Sequence, residues 1–276
     1  MKNIVTRTIT GVCFVALLIG CILWGKQAFA VLFTVLTALS LAEFYGLVDN
    51  AGGHPAFRHL PHIAGGAYLF AAFYYYCSGE AAPIVRFLFV PYILYLLYTF
   101  AAQLYARQPD PIRNWAYALL GQLYIALPFA LLNFIAFPGL YTIYMPSLLL
   151  AFFVFIWTND TGAFLVGVTL GRHRLFERVS PKKSWEGFFG GLFFCGIVAG
   201  LLAIVEPALS WLQWVGLGVT VSVSATFGDL CESLLKRTVG VKDSGSSLPG
   251  HGGWLDRFDS VLFAAPAAYV YLQLFG

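Results

Sequence analysis

Charge is what this chain has least of. Only 11% of its 276 residues are Asp, Glu, Lys or Arg, while 59% are hydrophobic; an ordinary soluble domain carries about 25% charged residues. That deficit excludes a normal water-facing surface and points to a lipid solvent. Several catalytic devices are missing too. There is no GxxxxGK[ST] loop, no GxGxxG after a strand, no HExxH pair and no GxSxG elbow, which excludes the P-loop, Rossmann, zincin and α/β-hydrolase solutions to catalysis. The five cysteines, Cys13, Cys21, Cys77, Cys195 and Cys231, share no CxxC spacing, and four lie in apolar stretches. They read as small packing residues, not as a zinc site or disulfide framework. Long internal repeats and low-complexity tracts are absent as well.

What is present is a series of apolar runs, each bounded by charge, Gly or Pro. A membrane-crossing helix needs about 20 mostly apolar residues. The runs predict an all-α polytopic membrane protein with about nine transmembrane helices, at 8–24, 28–48, 60–77, 87–104, 115–137, 145–170, 188–205, 209–227 and 261–275. Ala28-Phe29-Ala30 resembles a signal-peptidase site, and Leu18-Ile19-Gly20-Cys21 a lipoprotein box. Because the chain runs straight on into a second apolar stretch, the first run is expected to be a retained span. With nine spans, 14 of the 16 basic residues fall on one side, leaving Lys26 and Arg86 on the other. By the positive-inside rule the N-terminus is cytoplasmic and the C-terminus lies on the far side. Two substantial loops, 171–187 and 228–260, are then cytoplasmic, and the expected organisation is an N-terminal helical region, 1–143, followed by a catalytic region, 144–276. The GxxxG pairs Gly167/Gly171, Gly187/Gly191 and Gly196/Gly200 suit close helix packing within the chain, a homodimer seam being the alternative use.

Chemistry concentrates late. Five of the 13 acidic residues, Asp229, Glu232, Asp243, Asp256 and Asp259, fall within 31 positions that also hold Lys236, Arg237, Lys242, His251 and Arg257. If the eighth span continues as a helix, Asp229, Glu232 or Ser233, and Lys236 line one face; if the ninth begins early, Asp256 and Asp259 share another. Between them lies a loop with Gly240, Gly245, Gly250, Gly252 and Gly253, able to wrap closely around a ligand. Carboxylates without a His or Cys cage suit a hard cation such as Mg²⁺, and interleaved Lys and Arg suit phosphate oxygens. The alternative is a solvated helix cap with surface ion pairs. Asp160, in the cytoplasmic half of the sixth run, is an ionisable group inside a span, an expensive placement that points to function; Glu43 in the second run is similar but closer to water. Lys182 and Lys183, in Ser180-Pro181-Lys182-Lys183-Ser184, stand just before an expected helix start, where anions are attracted.

These residues closely resemble the phosphatidate cytidylyltransferase family, or CDP-diacylglycerol synthases. The family pattern is met by Ser233, Lys236-Arg237, Lys242-Asp243, Pro249, His251-Gly252-Gly253 and Asp256-Arg257-Phe258-Asp259. Upstream, Gly228-Asp229-Leu230, Asp160-Thr161-Gly162-Ala163, Gly171-Arg172-His173 and Ser180-Pro181 with Lys183-Ser184 also fit, whereas Trp254 stands where a smaller apolar residue is expected. The resemblance implies transfer of CMP from CTP to phosphatidate, giving CDP-diacylglycerol and pyrophosphate with a divalent metal required. It assigns catalysis to Asp229, Asp256, Lys183, Arg237, Lys242 and Arg257. Substrate binding falls to Asp160, Ser180, Ser184, Ser233, Lys236, Asp243, His251, Gly252 and Gly253, and Mg²⁺ to Asp229, Asp256 and Asp259, with a second cation as an option. The partners implied are CTP, phosphatidate and membrane lipids, with no nucleic acid, at the cytoplasmic face of a bacterial inner membrane. Two rival readings are a CTP-dependent polyprenol kinase, which would release CDP, and a secondary transporter using Asp160 and Glu43. A transporter is expected to show repeated halves and broken helices at the midplane, whereas here the charge gathers in one terminal third.

Overall fold

The computed structural model describes residues 2–50, 59–80, 84–106, 110–139, 143–248, 250 and 252–276. Four helices open the chain: α1 (Lys2–Trp24), α2 (Lys26–Asn50), α3 (Leu60–Ser78) and α4 (Val90–Ala106). α5 (Pro111–Gly121) passes through a π turn, Gln122–Ala126, into α6 (Leu127–Ala136). After α7 (Pro146–Leu170) come two short strands, β1 (Arg174–Phe176) and β2 (Ser180–Ser184), then α8 (Trp185–Val205), α9 (Trp211–Thr238) and α10 (Leu255–Phe275). Among the described residues, seven helical stretches are long and apolar enough to cross a membrane. The chain is an all-helical polytopic membrane protein.

Packing divides the chain into two compact units, Met1–Tyr144 with Asp243–Arg257, and Met145–Lys242 with Phe258–Gly276. In the first unit, α1 and α2 are separated by Gly25, whose φ of 140° side chains rarely tolerate. Asp110 caps α5 by accepting the Arg113 N–H at 3.0 Å, with Pro111 at the first helical position. The π turn has a local cause: Pro128 lacks an N–H and crowds the preceding turn, and the Leu127 N–H reaches back to the Gln122 carbonyl. The core of this unit is aromatic, with Phe29, Phe33, Phe70 and Phe129 fully buried. Their ring centroids lie 4.9 to 6.4 Å apart, the usual range for packed aromatic pairs.

In the second unit, α7 and α8 pack backbone against backbone. A Cβ on Gly190 would collide with the Val166 side chain, and one on Gly187 would come within 2.8 Å of the Ala163 carbonyl. Gly167, Gly187 and Gly191 therefore serve this intrachain seam, whereas Gly196 and Gly200 face open space. Phe155 and Trp214 close the unit's interior with centroids 6.3 Å apart.

Helices extend past the expected apolar runs at several polar ends: α1 begins at Lys2 rather than 8 and α5 at Pro111 rather than 115, and three further cases bear on the site. α8 begins at Trp185 rather than 188, α9 runs to Thr238 rather than 227, and α10 begins at Leu255 rather than 261. The expectation stopped where hydrophobicity stopped; the backbone stays helical because hydrogen bonding and capping, not side-chain polarity, set where a helix ends. The 171–187 loop is likewise more regular than expected. β1 and β2 form an antiparallel hairpin, with Arg174 opposite Ser184 and Phe176 opposite Ser180.

Candidate active site

The second unit holds one cluster of charge. α9 carries Ser222, Thr226, Asp229, Ser233 and Lys236 at alternating four- and three-residue spacings, which puts all five on one helical face. The upper part of this stripe is buried and joined to α7: Ser222 Oγ donates to Asn159 Oδ1 at 2.7 Å, and Asn159 Nδ2 reaches Thr226 Oγ1 at 3.4 Å. Asn159 thereby fixes the turn of α7 on which exposed Asp160 sits. Lower down, the Lys183 ammonium pairs with Asp229 Oδ2 at 2.6 Å and lies 3.4 Å from the Thr226 carbonyl. Ser233 Oγ donates to Asp229 Oδ1 at 3.2 Å.

Asp259, on α10, completes this cluster. Gly228 makes the approach possible, since a Cβ there would lie 2.6 Å from the Asp259 carbonyl oxygen, too close unless the backbone shifts. The half-buried Asp259 carboxylate sits in the repulsive fields of Asp229 and Asp160, opposed by Lys183. Lys236 is drawn inward by Glu232, with 2.5 Å between ammonium and a fully buried carboxylate. Arg237 is exposed and donates to the Val241 carbonyl at 3.2 Å, closing the end of α9, and Lys242 is exposed.

The hairpin presents Lys183 to this cluster. Ser184 is buried and caps α8, accepting the Gly187 N–H at 3.1 Å, so the structure gives its oxygen a helix-capping task. Glu186 accepts the Arg172 and His173 N–H groups at 3.1 and 3.2 Å and meets His173 Nδ1 at 2.6 Å, tying the hairpin's entry to the helix start. Ser180 is half-buried at the start of β2, and Lys182 is exposed.

In the first unit, the loop before α10 is organised around two carboxylates. Buried Asp256 accepts the Ser244 N–H at 2.9 Å and the Gly253 N–H at 2.8 Å through Oδ2. Gly252 has φ 79°, and a Cβ there would strike that same Asp256 oxygen, so two reasons require glycine. Asp243 and Arg257 are exposed. Glu43, from α2, accepts the Ser244 and Ser247 hydroxyls and the Leu255 N–H. Trp254, the departure from the family pattern, lies against Phe14 of α1 with centroids 6.3 Å apart. His251 falls outside the described residues.

Sequence reasoning named Asp160, Lys183, Asp229, Ser233 and Asp259, and the structure gathers all five in one neighbourhood of the second unit. It missed Asn159, Ser222 and Thr226, whose signal was legible: polar residues at heptad-like spacing inside an apolar run. Among the described residues, no group of three or more His, Cys, Asp or Glu forms a metal cage, and the expected metal ligands divide between the two units. The Asp229–Asp259 pair has the right chemistry for a hard divalent ion, with oxygen donors only and more negative charge than Lys183 offsets.

The chain is similar to proteins of known type. A family model described as the cytidylyltransferase family matches residues 5–275. Over 122 residues it is 47% identical to a phosphatidate cytidylyltransferase of Staphylococcus aureus (strain COL), covering 44% of this chain and 46% of that protein. A Bacillus subtilis (strain 168) protein of the same name is 44% identical over 124 residues, covering 45% and 46% respectively. A Staphylococcus saprophyticus relative is 40% identical over 159 residues, covering 57% of this chain and 58% of that one. The chain thus spans about half the length of the curated relatives it matches. The match to the family model takes in α1 through α10, including every residue of both carboxylate clusters, and the chain belongs to the cytidylyltransferase family.

Proposed function

We propose that this protein transfers CMP from CTP to phosphatidate, forming CDP-diacylglycerol and pyrophosphate, at the cytoplasmic face of a bacterial inner membrane. The observation that carries the reading is the Lys183–Asp229 ion pair beside Asp259 and Asp160, a cluster built from fixed charges with no nucleophilic triad. That suits the reaction. A phosphate monoester has a second pKa near 6, so phosphatidate is already an anionic nucleophile at neutral pH and needs no general base. Its phosphate oxygen attacks the α-phosphorus of CTP, the bond from that phosphorus to the bridging oxygen breaks, and pyrophosphate leaves with the electron pair. The barrier is the repulsion between two polyanions, and fixed cations lower it.

Lys183 is the proposed holder of a phosphate oxygen, exchanging its contact with Asp229, and exposed Arg237 and Lys242 are proposed to supply further positive charge in the same unit, with Arg257 named by the motif. Asp229 and Asp259 are the proposed holders of Mg²⁺, which when bound offsets charge on the triphosphate. Asp256 is named for Mg²⁺ by the motif alone; its Oδ2 accepts two backbone donors within its own unit. The names of the relatives, phosphatidate cytidylyltransferases, support the choice of acceptor.

The test is purified protein in detergent–lipid micelles with Mg²⁺, radiolabelled CTP and phosphatidate. Equal amounts of CDP-diacylglycerol and pyrophosphate are expected. Release of CDP with a lipid alcohol as the preferred acceptor would replace this reading with a kinase, and no nucleotide turnover with any lipid acceptor would remove it.

A further inference from the structure

Glu43 lies in α2, 201 residues before the nearest of its partners in sequence, and its carboxylate accepts three hydrogen bonds from them. Oε1 accepts the Ser247 hydroxyl at 2.7 Å, and Oε2 accepts the Ser244 hydroxyl at 3.1 Å and the Leu255 N–H at 3.0 Å. Two glycines make room for it. A Cβ on Gly245 would lie 2.8 Å from Oε1, and one on Gly253 would collide with Oε2. The three donors are Ser244 and Ser247 on one side and Leu255 on the other, so one side chain ties these described residues together. Asp256 does the same from the loop's own end, accepting the Ser244 and Gly253 N–H groups and, through its N–H, donating to Ser244 Oγ at 3.3 Å. Ser244 is thus held by both carboxylates.

A carboxylate within a membrane-spanning stretch is costly and by default points to function. Packing alone does not require this one, since an apolar residue of similar size would fill the same space. We propose that Glu43 is a positioning residue: it ties Ser244 and Ser247 to the start of α10, the arrangement that receives the nucleotide. This rests on the cytidylyltransferase reading for the identity of the ligand, though not for the existence of the clamp. Without Glu43 the loop loses three charge-assisted hydrogen bonds, and the tied form becomes a minor population. A ligand that binds only the tied form then shows a weaker apparent affinity by the fraction lost, while saturating ligand restores the population. The expected signature is a raised KM for CTP with kcat far less affected. A general loss of folded protein would do the reverse, lowering apparent kcat and leaving KM alone.

Two measurements on the full chain in micelles test this. Hydrogen exchange across residues 243–257 should accelerate roughly tenfold or more in Glu43→Ala, as expected when hydrogen bonds to a charged group are lost, with exchange in α7 and α9 unchanged. KM for CTP should rise by a similar factor, and Glu43→Gln, which keeps one acceptor oxygen, should fall between Ala and wild type in both readouts. Should Glu43→Ala not fold, Ser247→Ala removes one of the three bonds from an exposed position and should shift both readouts in the same direction by a smaller factor. Unchanged loop exchange, or a loss confined to kcat, would overturn the clamp. If the wild-type protein turns over no CTP, the functional reading fails, and the exchange measurement alone still decides the clamp.

Discussion

Replacing Lys183 by Ala removes one ion pair and leaves a cluster of like charge behind. The ammonium stands 2.6 Å from Asp229 Oδ2, with both side chains about a third exposed at 27% and 32%. Water therefore reaches the pair, and its full Coulombic attraction does not count toward the net value. Hydrogen bonds to charged groups contribute about 1.5–3 kcal/mol each, and one such contact that persists into the transition state is worth roughly a ten- to hundredfold change in rate. Lys182 is the internal control. It is one residue away on the same strand and carries the same charge, but its side chain is exposed. Steady-state kinetics with varied CTP in detergent–lipid micelles should show kcat/KM falling ten- to a hundredfold in Lys183→Ala and by less than about threefold in Lys182→Ala. Equal, small losses in both would show that the hairpin contributes general positive charge, not a placed phosphate ligand, and the argument from the ion pair would fail.

Asp229→Asn should abolish turnover while leaving folded protein in the membrane, and EDTA should silence the wild type until Mg²⁺ is restored; near-normal activity in the variant, or activity in EDTA, removes the metal assignment. Lys182→Cys, in a background without native thiols, should react with an impermeant maleimide only after the cells are opened; labelling of intact cells would reverse the proposed orientation. Gly228→Ala sets two effects against each other. Ala gains up to about 1 kcal/mol of helix propensity, but its Cβ would sit 2.6 Å from the Asp259 carbonyl, an overpacking that costs about 1–3 kcal/mol. The clash should win, seen as a lower thermal midpoint together with reduced CTP turnover, and an unchanged midpoint would show that α9 and α10 tolerate separation at this point.

The fold was legible because a lipid solvent simplifies the code: apolar length alone marks a helix, and a helix occupies each of the nine expected stretches among the described residues. The cluster was partly legible for the opposite reason. Asp160, Asp229 and Asp259 stand out against hydrocarbon, so their burden of charge had to mean something. What the sequence hid was cooperation across distance. Nothing around Glu43 announces that its partners lie more than 200 positions away. The motif could not show that the Ser184 oxygen also caps α8. Hydrophobicity also erred at the ends of α9 and α10, where polar residues continue a helix whose hydrogen bonds are indifferent to the side chains outside it.

The Glu43 contacts also bear on how the protein is made. Helices enter the bilayer in the order of synthesis, and α2 leaves the ribosome long before Ser244. At elongation rates of about 5–20 residues per second, the 201 residues separating the two take about 10 to 40 s to appear. Throughout that interval the newborn α2 carries a carboxylate whose eventual donors do not yet exist. It must be tolerated by the insertion machinery, by water at the membrane edge or by a temporary partner. A chain truncated before residue 244 would never supply those donors.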